Sequence, residues 1–342
     1  MCLLTTHGRR TVFAMLTRFG TAEQALRHLS DPSGDGESFV LECQHQQINT
    51  VGYYDDSFPV LLKEIPDPPM LLYFRGDIAV ASHSAVAIVG SRRCTASGVS
   101  IAEHLAGELA GLGLAVVSGL ARGIDSAAHR GTLFAPNEDG GKTIAVLGSG
   151  IGCIYPGVNR ALAGEIVARG GLLLSEYAPL VSPHRHHFPE RNRLISGISL
   201  GVVVVEASER SGSLITARLG LEQGREVMAV PGQVGSANSP GCHRLLKQGA
   251  ALIENTADIV EALGLTTENA LSSDPSASTK QPLPGGEFRQ VLESVRFEPT
   301  TLDEILDTCG IRAQRVTACL VELELEGFVQ RLAEGYIRRP FS

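Results

Sequence analysis

The chain has 342 residues, 43% of them hydrophobic, so it is long enough for two or three domains and can bury a substantial core. A formal net charge of −8 and a pI near 5.7 argue against a protein that coats nucleic acid non-specifically, because that affinity comes from Lys and Arg displacing phosphate counterions. Any nucleic-acid site must be local. No apolar run reaches the roughly 20 residues of a membrane helix and no signal-peptide pattern is present, so we expect a cytoplasmic protein without a membrane partner.

The N-terminal part, residues 1–50, has the pattern of a small helical (SAM-like) domain. One or two short helices are predicted near 9–30, followed by a Gly/Asp/Ser break at 31–38. The next segment, 58–77, contains four prolines and is too rigid for a regular helix. We predict that it packs along the following domain as an ordered connector within residues 51–80.

The central part, residues 51–265, alternates short β-rich runs with helical stretches, which predicts crossover connections and a Rossmann-like parallel sheet covered on both faces. Its predicted strands are Ser84–Gly90, Leu114–Gly119, Lys142–Gly148, Gly171–Tyr177, Gly201–Ala207 and Glu226–Gly232. Helices are predicted near 95–112 and 123–134. Glycine or proline follows nearly every strand, at the sheet edge where open α/β sheets bind ligands.

The C-terminal part begins with a Ser/Thr/Pro/Gly-rich linker at 266–286 and continues as a domain at 287–342. Two helical runs followed by a hairpin pattern predict a winged helix. The presumed recognition helix carries Glu322, Glu324 and Glu326 against only Arg315, a combination that repels a phosphate backbone. We therefore expect a protein-interaction or regulatory role for this domain.

The turn after the first predicted strand carries Gly90, Ser91, Arg92 and Arg93, and Thr95 stands at the mouth of the next helix. A helix N-terminus with free N–H groups and an adjacent arginine can hold a phosphate. A capped turn with a surface arginine fits the same residues. Neither a P-loop nor a dinucleotide GxGxxG fingerprint occurs, so ATP, NAD and other cofactors lose their support.

The turn after the second strand carries Arg122 and Gly123, followed by Asp125 and His129. Asp125 is predicted to cap the next helix. A catalytic Asp–His pair is conceivable, but a cap beside a surface or core histidine is the interpretation favoured when no nucleophile is in view.

The third strand leads into a segment with Tyr155 and Arg160. Tyr155 offers an aromatic face on which a base could stack, although packing against other residues is the favoured interpretation for a lone tyrosine.

The most cation-rich stretch carries Arg185, Phe188, Arg191, Asn192 and Arg193, where a helix begins. Such a cluster suggests that the arginines contact successive phosphates while Phe188 lines the groove.

Two other interpretations apply to this stretch. We expect at least one of its arginines to form a structural ion pair; the candidate partners are Glu176, Glu190 and Glu206. His184, His186 and His187 are potential metal ligands, but neighbouring residues of an extended segment point to opposite faces and no carboxylate or thiol completes a tetrahedron, so no metal site is predicted. The seven cysteines are scattered and lack CxxC spacing, so they too predict no metal site, and we expect them to be reduced thiols.

The last two strand ends are also polar. A turn with Ser211, Gly212 and Ser213 follows Glu206 and favours a bound phosphate or a capped turn, and Lys247 is expected to face the same edge. Five or six such strand ends predict one extended anion-binding rim, longer than a mononucleotide requires.

A set of motifs in fixed order carries a family resemblance. The motifs are VGSRRCTASG, SGLARGIDSAAHR, GSGIGCIYPGVN, LLSEY, FPERNRLISG, VVVVEASERSGSLITA and VPG. Together they resemble the DprA/Smf family over about residues 50–260, and the flanking domains suit many members.

The resemblance implies an extended Rossmann fold that binds single-stranded DNA, forms a homodimer and loads the RecA recombinase during natural transformation, without catalysis. It assigns phosphate binding to Gly90, Ser91 and Arg92, the basic groove residue to Arg185, and the RNR motif to Arg191, Asn192 and Arg193. Relatives often have a basic residue where this chain has Val158, so the DNA contact expected in this segment depends on Arg160.

Two alternatives remain. One is a Rossmann-like hydrolase that processes nucleotides, with Asp125, Glu176 and Glu206 as its acids. The other is a transcription regulator that uses the winged helix, which the acidic helix makes the least favoured.

Overall fold

The computed structural model describes residues 47–135, 141–265, 286–296, 299–325, 327–332 and 334–338. The helical domain predicted for residues 1–50 lies almost entirely outside them, as does the linker.

The central part is built on one sheet of nine strands among these residues, in the order β1-β2-β6-β5-β4-β3-β7-β8-β9. Its strands are β1 Asn49–Gly52, β2 Leu71–Gly76, β3 Ala85–Val89, β4 Ala115–Ser118, β5 Thr143–Leu147, β6 Leu172–Ser175, β7 Gly201–Val204, β8 Glu226–Ala229 and β9 Ala251–Leu252. Its α-helices are α1 Val60–Lys63, α2 Ala96–Gly111, α3 Ile124–Leu133, α4 Arg160–Ala168, α5 His187–Gly197, α6 Ser213–Glu222, α7 Pro240–Lys247 and α8 Thr256–Ala262.

Strands β3 to β9 are parallel to one another wherever they pair. Because side chains alternate along a strand, Val86 and Ile88 of β3 belong to a core cluster with Leu105 of α2, whereas Ala87 and Val89 belong to one with Leu194 of α5. Both faces of the sheet are thus covered by helices, which is why its strands are continuous apolar runs. The predicted Rossmann-like parallel core is confirmed.

The segment 58–77 differs from the predicted connector. It contains a single helical turn, α1, and then β2, which pairs antiparallel with both β1 and β6. The prolines all precede β2, so none interrupts its ladder, and the run from Leu71 to Phe74 is apolar enough to enter the sheet. The predicted connector is thus an ordered part of the domain, but it enters the sheet as a strand as well as packing along the core.

The described residues of the C-terminal part form three helices and a hairpin: α9 Glu287–Ser294, α10 Leu302–Cys309, α11 Ala313–Leu325, β10 Val329–Leu332 and β11 Gly335–Arg338. Thr301 and Glu304 form a reciprocal capping box at the start of α10. A separate core, which includes Val291, Leu320 and Phe328, holds these elements together. The predicted winged helix is confirmed. Among the described helices, none has the length and apolar content required to cross a bilayer.

Candidate nucleic-acid interface

The loops that carry the predicted motifs meet at one border of the sheet, which we name the carboxyl edge. Strands β6, β5, β4, β3, β7 and β8 are consecutive neighbours and parallel, so the loops that follow them lie side by side. At about 4.8 Å per strand, this edge is roughly 24 Å long. The loops are residues 176–186, 148–156, 119–123, 90–95, 205–212 and 230–239.

The turns after β3 and β4 fit together because of glycine. At Gly123, φ is +79° and a Cβ would lie 2.3 Å from the carbonyl oxygen of Ser91. The Ser91 hydroxyl accepts a hydrogen bond from the Arg93 N–H at 3.1 Å, and Thr95 caps α2 by accepting from the N–H of Gly98 at 3.0 Å. The packed turns leave the side chains of Arg92 and Arg93 exposed.

Glu206 connects the β3 turn to the loops after β7 and β8. Its carboxylate accepts hydrogen bonds from Thr95 N at 3.0 Å, Thr95 Oγ1 at 2.5 Å and Asn238 Nδ2 at 3.2 Å. The same Asn238 amide donates to the carbonyl of Arg93 at 2.8 Å. Glu206 is thus a structural carboxylate. Asn238 was missed from the sequence, where its only signal is its place in a glycine-rich loop.

An aromatic pair continues the exposed surface next to Arg92. The Arg92 guanidinium carbon lies 5.4 Å from the centroid of the Phe188 ring, and the Phe188 and Tyr155 rings are 5.5 Å apart, tilted by 46°. Gly148 makes room, because a Cβ there would lie 2.8 Å from Phe188 Cδ1. Tyr155 packs against Phe188, as favoured from the sequence, but it remains 47% exposed.

Arg191 lies beneath the edge rather than on it. Only 4% of the residue is exposed, and Nη1 donates to the carbonyls of Gly119 (2.9 Å) and Val146, which end neighbouring strands. Burial lowers the pKa of Arg191 to about 10, opposed by the nearby charge of Asp125. Burial likewise raises the pKa of Asp125, and the Arg191 charge is the main influence that lowers it. Arg191 therefore supports the loops from inside.

Arg193 is held in an ion pair. Its Nη2 donates to both carboxylate oxygens of Glu176 at 2.8 Å, and its Nε donates to Asp67 Oδ2 at 3.2 Å. The expectation that one arginine of this stretch forms a structural ion pair is confirmed. Because two carboxylates already neutralise Arg193, its predicted contact with phosphate is not supported by this arrangement, and we remove both Arg191 and Arg193 from the proposed contacts.

Asn192 joins α5 to the turn after β7. Its amide donates to the Gly212 carbonyl at 3.4 Å, and the hydroxyls of Ser211 and Ser213 are 2.7 Å apart. Gly212 is exposed, with open space where a Cβ would be. The adjacent Arg210 is also exposed, a cation at the edge that sequence reasoning missed.

The Asp125–His129 pair does not form. The Asp125 carboxylate accepts from the N–H groups of Gly119 at 3.2 Å and Ala121 at 3.3 Å, in the loop before its helix. Helix α3 starts after Gly123 without a side-chain cap, so the predicted Asp125 cap was wrong. His129 is buried against Thr143 (2.7 Å), and burial lowers its pKa to about 3.

Lys247 lies outside the loops of the carboxyl edge. It ends α7, whose first residue follows the loop at 230–239. Eight residues of helix separate it from that loop by about 12 Å, so the expectation that it faces the edge was wrong.

The three histidines of the β6–α5 segment lie together, contrary to the extended geometry assumed from the sequence. The chain turns here, with His187 N–H donating to the His184 carbonyl at 3.1 Å. Within the described residues no group of His, Cys, Asp and Glu has an arrangement that could hold a metal ion.

Five of the predicted cations remain exposed around the edge. They are Arg92, Arg93, Arg122, Arg160 and Arg185. None of them forms an ion pair with a carboxylate in the described part of the chain. This border of an acidic protein is therefore a local concentration of positive charge, with a partly exposed aromatic pair beside it.

Comparison with known proteins agrees with this architecture. The family model for DNA recombination-mediator protein A matches residues 49–264, and the model for the DprA winged helix domain matches residues 274–335. Protein Smf of Escherichia coli is 38% identical over 325 residues, which cover 93% of this chain and 84% of that protein. DNA processing protein DprA of Streptococcus pneumoniae is 42% identical over 220 residues, covering 64% and 76%.

Two solved structures are also similar. DNA processing protein A from Streptococcus pneumoniae superposes with a TM-score of 0.60 at 39% identity, covering 70% of this chain and 80% of that one. DNA processing protein A from Helicobacter pylori, whose structure addresses its single-stranded DNA binding mode, gives 0.56 at 32% identity, covering 64% and 95%. The chain belongs to the DNA recombination-mediator protein A (DprA/Smf) family.

Proposed function

We propose that this chain is a non-enzymatic protein that binds single-stranded DNA along the carboxyl edge. The observation that carries the proposal is the row of exposed arginines without carboxylate partners on a protein whose net charge is −8. Such a row attracts a polyanion through counterion release. The edge, at roughly 24 Å, suits a chain of nucleotides better than one nucleotide.

The preference for a single strand rests on the aromatic pair. The rings of Tyr155 and Phe188 are partly exposed and in mutual contact, beside the Arg92 guanidinium. A base can stack on such a ring only when it is released from its neighbours, which is the normal state of a single strand and costs energy in a duplex.

Phosphate contacts are proposed for the polar turns next to these rings. The turn from Gly90 to Thr95 offers backbone N–H groups and Arg92, and Arg122 and Gly123 lie against it. Asn192 and the turn Ser211–Ser213 extend the same surface across β7.

The absence of catalysis is supported by how the candidate acids are used. Glu206 accepts three hydrogen bonds, Glu176 pairs with Arg193, and Asp125 is buried against backbone N–H groups. None is left exposed to transfer a proton to a substrate, so a nucleotide hydrolase fits the site less well.

Membership of the family supports two further parts of the proposal. We infer that the chain acts on DNA during natural transformation, where it protects incoming strands and loads RecA, and that it does so as a homodimer. RecA loading is tested by whether the protein restores RecA filaments on oligonucleotides coated with single-strand-binding protein. The homodimer is tested by measuring the mass of the protein in solution by light scattering.

The test of DNA binding compares single- and double-stranded oligonucleotides of equal length across a salt series. For a single strand, each phosphate contact adds about 0.7 to the slope of log Kd against log salt concentration. If all five exposed arginines contact phosphates, the slope should therefore have a magnitude of about 3.5. Equal affinity for the duplex, or a flat salt dependence, would overturn the proposal.

A further inference from the structure

Three imidazole rings form a cluster between β6 and α5, directly before Phe188. His184 and His186 are stacked with centroids 5.7 Å apart and an interplanar angle of 21°. His187 meets His184 edge-on at 5.0 Å and His186 at 4.5 Å. We name these residues the histidine cluster. His184 and His186 are exposed, and His187 is buried.

The surroundings of the histidine cluster contain both signs of charge. Arg185 lies between its first two members in sequence and is exposed. On the inner side, the Tyr177 ring stacks on His187 at 4.0 Å, and its hydroxyl donates to Glu190 Oε2 at 3.1 Å. No hydrogen-bond partner for His187 Nδ1 exists among the described residues.

The surroundings of His187 disfavour its charged form in the free protein. Burial, then the neighbouring His186 and His184, lower the pKa of His187, against weaker opposing effects of the Gly148 backbone and Glu190. Arg185 adds a further positive charge next to the rings. An anion placed over the exposed rings of His184 and His186 would favour their protonated form, since an opposite charge within about 4–6 Å favours the protonated imidazole.

We propose that the histidine cluster is a proton-dependent phosphate contact, so that single-stranded DNA is bound with uptake of protons at His184 and His186 and more tightly at mildly acidic pH. This inference rests on the proposed function. Linkage gives the sign: if bound phosphate favours the protonated rings, protonation must favour bound phosphate by the same factor. Histidine is the side chain whose charge changes between about pH 5 and 8, so the effect falls in a physiological range.

The test measures binding of a dye-labelled oligo-dT between pH 5.5 and 8.0 at constant ionic strength, with a dye whose emission does not change in that range. Thymine carries no titrating group there, so the ligand keeps its charge. We expect about tenfold tighter binding at pH 5.5 than at pH 8.0, which corresponds to an imidazole pKa that rises by about one when DNA binds. The change His184→Gln with His186→Gln should make the affinity nearly independent of pH.

A matched control is His83→Gln. His83 is exposed but precedes β3, at the opposite border of the sheet, and this variant should keep the full pH dependence. Calorimetry in two buffers of different ionisation enthalpy should detect proton uptake by the unchanged protein and not by the double variant. A pH dependence that survives in the double variant, or binding without proton uptake, overturns the inference. Failure of the unchanged protein to bind oligo-dT at any pH would instead overturn the proposed function.

Discussion

The carboxyl edge and the winged helix differ in the charge of their exposed side chains, although both belong to architectures that often bind nucleic acid. The edge exposes arginines without carboxylate partners. The outer face of α11 exposes Val321 (49%) and Leu325 (83%), with Glu322 and Glu324 on either side of this apolar stripe. Arg315, on the same helix, is paired with Glu287 at 2.7 Å. The difference teaches that the exposed side chains, and not the architecture, indicate which surface suits the proposed DNA contact.

The largest effect is expected inside the edge. Arg191→Ala leaves the Asp125 carboxylate buried without its opposite charge, so we expect the free energy of unfolding to fall by about 3–5 kcal/mol. Chemical denaturation measures it. The exposed Arg92→Ala should change that free energy by less than about 0.5 kcal/mol. If both variants were equally destabilised, the distinction between interior and exposed arginines would be lost.

The next largest effect concerns the exposed arginines. The double change Arg92→Ala with Arg185→Ala should weaken binding of a single-stranded oligonucleotide by about 100-fold, at about 1.4 kcal/mol for each lost charged contact. It should also reduce the magnitude of the salt slope by about 1.4. Fluorescence anisotropy measures both. Arg218→Ala is the control, because Arg218 is exposed but paired with Glu222 on α6, and it should bind normally.

A smaller effect is expected for the aromatic pair. Phe188→Ala should cost about 1–3 kcal/mol of binding free energy through lost stacking. The chain offers a matched control in Phe134, which lies 5.2 Å beneath the Arg169 guanidinium and is 64% exposed at the end of α3. Phe134→Ala should leave the affinity unchanged. Equal losses in the two variants would show that stacking at the edge is not specific.

The smallest effect is expected for the winged helix. A chain that ends at Leu265 should bind the same oligonucleotide with an affinity within about twofold of that of the full chain. Among the described residues of α11, Arg315 is the cation and it is already paired with Glu287, while the exposed glutamates of this helix repel phosphate. Titration at two salt concentrations measures the ratio. Loss of most of the affinity on truncation would show that the winged helix, and not the carboxyl edge alone, contacts DNA.

The parallel core was predictable because its strands are buried on both faces. Runs such as Val202–Val204 show no polar alternation, and a glycine or proline follows most of them. Strand β2 was not recognised because the prolines ahead of it dominated the interpretation of segment 58–77. A local pattern could not reveal its partner β6, which is about 100 residues later in the chain.

The site was predictable at the level of which loops meet, but not at the level of which cations stay free. Arg185 and Arg193 have the same sequence signal. Their difference depends on Glu176 and on Asp67, which is 126 residues from Arg193. The same applies to Asn238, whose partner Arg93 is 145 residues away. The histidine cluster was missed because the turn at His184 is set by the start of α5 and not by side-chain alternation.

The two outer strands of the sheet are short, which limits how copies of this protein can associate. Within the described residues β1 has four residues and β9 has two, so each border offers only a few main-chain N–H and C=O groups to a foreign strand. A continuous sheet shared by two molecules would gain few hydrogen bonds, and aggregation through the edge strands is disfavoured for the same reason. A homodimer of this chain is therefore expected to join through side-chain surfaces.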